Sequence, residues 1–259
     1  MDLGISGKNA LVTGASRGMG KAAALALARE GVDLTILART SETLEAAAAD
    51  IRAQTGARVT AVLGDITTPA GREAALAACP QPDILVNNAD GELPGDFRNW
   101  SREDWLRGID RMMLTPIDMM RLTVDGMMER KFGRVVNIVS RSVKIAQAEL
   151  GMSNAARSGL VGFVAGLARQ TIAQNVTINN VLPGIVASDG QRQHVEVLAR
   201  ESGRPFEEIW AERAAQNPAG RYGRPEEIGA YIAFLCSSNA GFVTAQNLLI
   251  DGGQYPGTF

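Results

Sequence analysis

A glycine-rich turn between a strand and a helix constrains the fold of this 259-residue chain most strongly. The short apolar run Asn9–Thr13 predicts a strand, and residues 21–30, rich in alanine and leucine, predict a helix. The turn between them holds Gly14, Gly18 and Gly20. Glycine adopts left-handed conformations and lets a ligand approach closely because it has no Cβ. Unpaired N–H groups and the dipole at a helix N-terminus favour an anion, so this turn is a candidate diphosphate site.

Strands and helices are predicted to alternate along the rest of the chain. Further strands are predicted at 32–38, 59–63, 84–86, 134–139, 177–182 and 247–250, and further helices at 41–55, 69–78, 101–130, 153–174 and 225–236. This alternation implies right-handed crossovers and therefore an α/β fold, a doubly wound parallel sheet of about seven strands in a single domain, 1–259. Only the polar, arginine-rich stretch 187–217 interrupts the pattern.

Composition and charge exclude several classes of protein. The chain is 46% hydrophobic and 21% charged, which suffices for a sizeable core. Its net charge of −2, without blocks of like charge, argues against nucleic acid and membrane surfaces as partners. No apolar run approaches the ~18 residues of a membrane span, so we expect a cytoplasmic protein. Cys79 and Cys236 are expected to be buried thiols, and a single histidine, His194, argues against a metal site of the zinc type.

The motifs resemble those of the short-chain dehydrogenase/reductase family, and in particular its 3-oxoacyl-acyl-carrier-protein reductases. The resemblance rests on Thr13-Gly14-x-x-x-Gly18-x-Gly20, Asp65, Asn87-Asn88-Ala89, Ser140, Pro183-Gly184 and the segments 223–227 and 251–253, which extend over almost the whole chain. It implies a Rossmann-type sheet, a nicotinamide dinucleotide and a small-molecule substrate. It also implies that 187–217 forms a substrate lid, and that the helices at 101–130 and 153–174 build a homodimer or homotetramer.

The predicted cofactor site favours NADP(H). NAD-binding enzymes carry an acidic residue about 20 residues beyond the glycines, at the end of the second strand. This chain has Ala38-Arg39-Thr40 there, so Arg39 can bind a 2′-phosphate through its planar guanidinium, and Arg17 is a second cation nearby. By resemblance, the cofactor-binding residues are Gly14, Ser16, Arg17, Gly18, Met19, Gly20, Arg39, Asp65, Ile66, Asn88, Ala89, Arg157, Pro183, Gly184, Ile185 and Val186. Asp90 departs from the family, which has glycine at that position.

The residues that the resemblance makes catalytic also depart from the family pattern. The family uses an Asn-Ser-Tyr-Lys tetrad, in which tyrosine protonates the substrate carbonyl and lysine lowers the tyrosine pKa, while serine orients the carbonyl and asparagine holds a relay water. The strand before Ser140 and the run Gly159-Leu160-Val161-Gly162-Phe163 anchor the alignment without a gap. The matching residues here are Met112, Ser140, Ser153 and Arg157. Three of the four positions are changed, and no tyrosine lies between 140 and 174.

Serine at position 153 is a poor replacement for the tyrosine acid. A phenol has a pKa of about 10, whereas a serine hydroxyl resembles water at roughly 15.7. That gap of roughly 5–6 units corresponds to about 7–8 kcal/mol in alkoxide stability. Arg157 stays protonated, so it can bind ribose hydroxyls and supply positive potential but cannot transfer a proton. We therefore predict a non-standard catalytic set of Ser140, Ser153 and Arg157.

The proton donor and the reaction itself stay open at this point. Candidate donors are Asp90, Lys144, Glu149, His194, Tyr222 and Tyr255. One hypothesis is an NADP(H)-dependent oxidoreductase that acts on a small carbonyl or alcohol, an imine or an activated double bond. A second is a catalytically silent dinucleotide-binding protein. A third is a non-redox lyase or hydratase that uses the same pocket.

Overall fold

A computed structural model, which describes residues 1–92 and 94–258, contains one parallel sheet of seven strands. The strands are β1 Asn9–Thr13, β2 Asp33–Ala38, β3 Val59–Leu63, β4 Ile84–Asn87, β5 Gly133–Ile138, β6 Val176–Pro183 and β7 Asn247–Ile250. Their order is β3-β2-β1-β4-β5-β6-β7, and every neighbouring pair is parallel. The order reverses between β1 and β4, where a doubly wound sheet opens a crevice beyond the carboxyl ends of its strands.

Helices cover both faces of this sheet. They are α1 Gly18–Arg29, α2 Ser41–Thr55, α3 Pro69–Ala78, α4 Arg102–Ile109, α5 Thr115–Glu129, α6 Gly151–Thr171, α7 Asp189–Ser202, α8 Phe206–Gln216 and α9 Pro225–Leu235. Successive strand residues point to opposite faces. On β1, Ala10 and Val12 therefore join the core beneath α1, α2 and α9, while Leu11 joins the core beneath α3, α5 and α6. Among the described residues, no helix combines the length and apolarity needed to cross a bilayer.

The predicted doubly wound fold is confirmed, but the long helix predicted at 101–130 is divided. α4 ends at Ile109, a π-helical turn occupies Asp110–Leu114, and α5 begins at Thr115. Pro116 lies in the first turn of α5, where its missing N–H costs no hydrogen bond inside that helix. The π turn carries the chain around this point without breaking the helical path, because all its flanking residues keep right-handed helical dihedrals.

Residues 187–217 form a helical pair beyond the carboxyl end of β6. α7 is capped by the Ser188 side chain, which accepts a hydrogen bond from the Gln191 N–H at 3.3 Å. α8 follows within a few residues and is anchored by Trp210, whose ring stacks on Tyr222 with 3.9 Å between centroids. The insertion therefore has its own packing against the segment that leads into α9.

A ladder of asparagine side chains crosses the second half of the sheet. In register, Asn87 of β4 donates to Asn137 of β5 at 2.9 Å, Asn137 donates to Asn180 of β6 at 2.9 Å, and Asn180 donates to Asn247 of β7 at 2.8 Å. Asn87, Asn137 and Asn180 are buried. A buried amide without a partner is costly, so each member satisfies the next and fixes the register of four strands.

We expect Asn137→Ala to destabilise the protein more than Asn247→Ala. The first substitution leaves buried amide groups of both Asn87 and Asn180 without partners, at about 2–4 kcal/mol. The second affects Asn180 alone and lies on an edge strand that water can reach, so it costs about 1–2 kcal/mol. Urea unfolding at fixed protein concentration measures both. Equal losses would show that the ladder is not a cooperative unit.

Candidate functional site

The glycine turn is held against the end of β4 by very close contacts. Gly14 has a φ of +59°, and a Cβ there would lie 2.7 Å from the Asn88 carbonyl oxygen. A Cβ on Gly20 would lie 2.3 Å from the Gly14 carbonyl oxygen. The Thr13 hydroxyl donates to the Asn88 carbonyl at 2.8 Å, and the Asn88 side chain donates to the Gly14 carbonyl at 3.0 Å. Only glycine fits at positions 14 and 20 without displacing backbone atoms.

The N-terminus of α1 is open to an anionic ligand. Arg17 occupies the N-cap position in an extended conformation, and its side chain makes no capping hydrogen bond. The first turn of α1 also carries no acidic residue. Its N–H groups and the helix dipole therefore face the turn without a negative partner from the first helical turn, which is the arrangement that a diphosphate requires. A dinucleotide fits this turn.

A cleft of about 400 Å³ begins at this turn. It brings together eleven of the predicted cofactor residues: Gly14, Ser16, Arg17, Gly18, Met19, Arg39, Asp65, Ile66, Asn88, Ala89 and Arg157. Gly20 is not part of its lining, because that residue packs on Gly14 instead. Pro183, which ends β6, and the following residues 184–186 are not part of the lining either, so their contact with a nicotinamide stays a prediction.

Two ion pairs lie at the outer end of the cleft. The Arg39 guanidinium contacts the Asp90 carboxylate, and Arg17 Nη1 lies 3.4 Å from Asp189 Oδ2. All four side chains are about half exposed, so each pair contributes little to stability and can exchange partners. Arg39 is thus bound across the cleft by the residue that departs from the family glycine, and a negatively charged ligand would compete with Asp90 for it.

Asp65 lies at the floor of the cleft, after β3. Burial alone would raise the pKa of Asp65, but hydrogen bonds from the backbone and hydroxyl of Thr67 hold it below its usual value. The side chain is therefore a fixed, ionised acceptor. This position is compatible with the predicted contact to an adenine ring.

Arg157 is the buried cation at the inner end of the cleft. Its Nε donates to Ser153 Oγ at 3.1 Å, and its Nη1 donates to the carbonyl oxygens of Ile138 at 3.2 Å and Val139 at 2.8 Å. Burial lowers the pKa of Arg157 to about 10, so the group is still protonated at neutral pH. Within residues 1–92 and 94–258, no carboxylate lies within ion-pair distance of this guanidinium. The site therefore contains a fixed positive charge.

Ser153 and Arg157 are brought together as the one-turn spacing on α6 predicts. Ser140 is also near, because it ends the strand segment whose carbonyls bind Arg157, and its hydroxyl accepts a hydrogen bond from the Ser142 N–H at 3.1 Å. Met112 lies in the π turn and packs in a small apolar cluster with Met152 and Ala156 of α6. The position predicted for a polar relay residue is thus part of an apolar cluster.

A second, small cavity lies behind Arg157. It has a volume of about 20 Å³, which is room for one water molecule. Its lining includes Asn87, Thr115 and Arg111. The Thr115 hydroxyl is buried without a hydrogen-bond partner, so a water here would satisfy it. Arg111, which sequence reasoning did not single out, also borders the main cleft and forms an ion pair with Glu92 at 3.0 Å.

Most of the candidate proton donors have partners of their own. Asp90 is paired with Arg39, and the exposed Lys144 ammonium lies 5.5 Å from the centre of the Tyr255 ring. Tyr222 donates to the Trp210 carbonyl at 3.3 Å, and burial raises its pKa. Glu149 and His194 belong to a separate polar cluster with two arginines. Among the described residues, no hydrogen bond joins Asp90, Lys144, Glu149, His194 or Tyr222 to Ser140 or Ser153.

That cluster is the main feature that sequence reasoning missed. Arg141 immediately follows Ser140 and is buried, and Arg213 comes from α8. Burial, together with the charges of Arg213 and Arg141, lowers the pKa of His194 to about 4, and the charge of Glu149 opposes them. The four side chains therefore lie within electrostatic reach of one another. The only local signal was the excess of arginine in 187–217.

Another cavity, of about 370 Å³, lies at the opposite edge of the sheet. It is lined by the start of β2 and by the segment around Cys79. Doubly wound sheets bind their ligands beyond the carboxyl ends of the strands, and this cavity is beyond the amino ends. We therefore place the functional site in the cleft at the glycine turn.

Comparison with known proteins gives the class of this site. A family model described as enoyl-(acyl carrier protein) reductase matches residues 14–254. The 3-oxoacyl-[acyl-carrier-protein] reductase FabG of Vibrio cholerae is 32% identical over 98% of this chain and 99% of its own length. The NADPH-dependent reductase BacG of Bacillus subtilis is 30% identical over 96% of this chain and 98% of its own. The chain belongs to the short-chain dehydrogenase/reductase family, whose members are NAD(P)-dependent oxidoreductases.

Solved structures agree with this assignment. L-sorbose reductase from Gluconobacter frateurii, complexed with NADPH and L-sorbose, superimposes with a TM-score of 0.93 at 28% identity, over 99% of this chain and 100% of that one. Actinorhodin polyketide ketoreductase with NADPH superimposes with a TM-score of 0.89 at 29% identity, over 95% of this chain and 97% of that one. The similarity therefore covers both halves of the fold and the 187–217 insertion.

We expect His194→Gln to change how stability depends on pH. The folded protein holds the pKa of His194 near 4, below the 6.5 of an unfolded chain, so the unfolded state binds the extra proton first. Stability from this group is complete above pH 6.5 and is lost as pH falls toward 4, by at most about 1.4 kcal/mol per pH unit. His194 is the only histidine, so the difference between wild type and variant isolates it. Parallel thermal unfolding curves over this range would contradict the prediction.

Proposed function

We propose that the protein is an NADP(H)-dependent oxidoreductase that acts on a small carbonyl or alcohol, an imine or an activated double bond. One observation carries the proposal: a single cleft joins the glycine turn and Arg39 at one end to Arg157 at the other. A dinucleotide bound with its diphosphate at α1 would extend along this cleft toward Ser153 and Arg157. Because one cleft contains both the predicted diphosphate end and the Arg157 end, the geometry supports a redox role.

The outer end of the cleft supports NADP(H) over NAD(H). β2 ends at Ala38 and is followed by Arg39, so no carboxylate at the end of this strand repels a 2′-phosphate. Arg39 and Arg17 would exchange their aspartate partners for the phosphate, which accepts paired hydrogen bonds from a guanidinium. The relatives BacG and L-sorbose reductase are described with NADPH, which points the same way.

The inner end of the cleft supplies positive potential where negative charge develops. The nicotinamide cofactor supplies the hydride. Ser140 orients the substrate, and Arg157, fixed by its bonds to Ser153 and two carbonyls, faces the cleft with its remaining donors. A preorganised cation stabilises a developing oxyanion in proportion to how little it must move.

Ser153 is a positioning residue in this scheme rather than the acid. Its hydroxyl accepts a hydrogen bond from Arg157 Nε, which fixes the guanidinium plane. Ser153 has the high pKa of an aliphatic hydroxyl, and the Arg157 guanidinium keeps its proton in bonds to Ser153 and two carbonyls, so in this scheme the substrate takes its proton from solvent. Reduction of an imine or an activated double bond suits such a site, because water can protonate the product.

A catalytically silent dinucleotide-binding protein is the second candidate. The apolar surroundings of Met112 favour it, because they leave no polar group at the usual relay position. Both candidates predict cofactor binding. Only the first predicts that a carbonyl, imine or activated double-bond substrate oxidises bound NADPH.

We expect Arg39→Gln to weaken NADPH binding by about 10–100-fold and to leave NADH binding nearly unchanged, because charge-assisted hydrogen bonds to the 2′-phosphate are lost. Energy transfer from tryptophan to the reduced cofactor measures both affinities. Arg58→Gln is the matched control, since Arg58 is also exposed and pairs with an aspartate, Asp33, at the opposite edge of the sheet.

The wild-type titration also tests the proposal as a whole. Equal affinity for NADPH and NADH would contradict the NADP(H) assignment. No saturable binding of either would contradict the redox proposal and favour a non-redox reaction. Tight NADPH binding with no hydride transfer to a broad substrate panel would favour the silent protein.

We also propose that the chain assembles as a homodimer or homotetramer through α4, α5 and α6. Leu106, Leu114 and Leu122 on the first two helices and the turn between them, and Phe163 on α6, are large apolar side chains left exposed in the single chain. Light scattering should give the mass of two or four chains, and a single-chain mass would exclude this interface.

The free thiols of Cys79 and Cys236 fit a reducing compartment such as the cytoplasm.

A further inference from the structure

A cluster of basic side chains lies beside the segment after β5 that begins with Ser140. These side chains do not line the cofactor cleft. Arg141 directly follows Ser140 and is only 6% exposed. Arg213 comes from α8 and His194 from α7. The segment after β5 and the 187–217 insertion thus each contribute to one polar group of residues.

These residues influence one another electrostatically. Burial holds the pKa of Arg141 below its ordinary value, and the nearby charge of Arg213 lowers it further. The same two causes act on His194, which is therefore neutral at pH 7. The two guanidinium groups repel each other across this cluster, so an anion between them would be favourable.

The carboxylates near the cluster do not neutralise it by direct contact. Asp251 uses its two oxygens to accept N–H bonds from Gly253 at 3.0 Å and Tyr255 at 2.8 Å. Glu149 accepts from Gln147 at 3.3 Å. In the part of the chain that the structure describes, neither Arg141 nor Arg213 lies within 4.0 Å of a carboxylate oxygen.

Several donors in the cluster lack partners. Arg141 is bound by the side-chain oxygen of Gln254 and, at 3.5 Å, by that of Gln147. Arg213 is hydrogen-bonded to the Tyr222 side chain, but its Nε is buried with no hydrogen-bond partner, as are His194 Nε2 and the hydroxyl of Ser142. Buried polar groups without partners are rare and costly, which indicates a ligand that accepts hydrogen bonds.

We infer that Arg141, Arg213 and His194 bind a carboxylate or phosphate group of the substrate. The inference rests on the proposed function, because it assigns the substrate class of that site: an oxo acid or an oxo phosphate whose reacting carbon lies near Ser140 and whose oxyanion lies at this cluster. Guanidinium groups match such oxyanions in planar geometry, and a neutral histidine adds one N–H bond.

Binding of an oxyanion by these residues would also favour closure of the 187–217 insertion over the site. Two of the three ligands belong to this insertion, and the third belongs to the segment after β5. An oxyanion bound between them joins the two segments and excludes water from the reacting carbon. A neutral substrate of the same shape would leave the unpaired donors buried, so the site would discriminate against it.

Matched pairs of carbonyl compounds test this directly. We would titrate the protein, saturated with NADPH, with 4-oxopentanoate and its methyl ester, and with dihydroxyacetone phosphate and dihydroxyacetone. Binding is followed by thermal shift and calorimetry, and turnover by NADPH absorbance. At least one anion should bind ten or more times tighter than its neutral partner, and the pair that does so distinguishes a carboxylate from a phosphate site.

Variants assign the effect to the cluster. Arg213→Gln should weaken binding of the preferred anion about 10–100-fold without changing binding of its neutral partner. Arg213→Lys keeps the charge but loses the planar geometry, so an intermediate loss is expected. Arg200→Gln, on the exposed side of α7, is the control and should change neither.

Equal binding of both members of each pair, no saturable binding of any of the four compounds, or equal losses for anion and neutral partner in Arg213→Gln would overturn the inference. Failure of the proposed function gives a different result: selective anion binding without NADPH oxidation. Turnover of neutral carbonyls without anion selectivity would leave the function standing and remove the oxyanion site.

Discussion

The contact between the glycine turn and the end of β4 is the constraint on which the site depends. Gly14, Gly20 and Asn88 approach so closely that a single added carbon at either glycine would lie within 3 Å of a backbone oxygen or of the Asn88 amide. The Thr13 hydroxyl completes the contact by bonding both the N–H and the carbonyl of Asn88. Because this junction lies where the strand order reverses, its tightness fixes both the N-terminus of α1 and the entrance of the cleft.

At the inner end of the cleft, Arg157 behaves differently from the lysine that the family resemblance predicts at this position. A lysine ammonium responds to burial by releasing its proton, whereas a guanidinium keeps its charge and must be held by hydrogen bonds. Arg157 finds them in two carbonyls after β5 and in the Ser153 hydroxyl one turn earlier. Ser153 and Arg157 therefore form one structural unit.

Local patterns predicted most of the fold, and eleven of the predicted cofactor residues line one cleft. The bounds of β1, α2, β3, α3 and β7 agree with the sequence prediction because apolar period and capping residues act within a few positions. The helix at 101–130 was mispredicted because Gly108 and Met112 pack against Met152 where the π turn forms, and Met152 lies some forty positions further along the chain. The meeting of Arg141 with Arg213 was missed for the same reason: some seventy positions separate them, and no spacing rule links residues on different elements.

The asparagine ladder has an electrical direction as well as a structural role. Every side-chain amide donates toward β7, so the four carbonyl groups point the same way and their dipoles add. The negative end of this row is the Asn87 oxygen. Asn87 of β4 and Arg157 of α6 line the same small cavity. The ladder therefore turns the negative end of its summed dipole toward Arg157, a buried cation that no carboxylate pairs within the described residues.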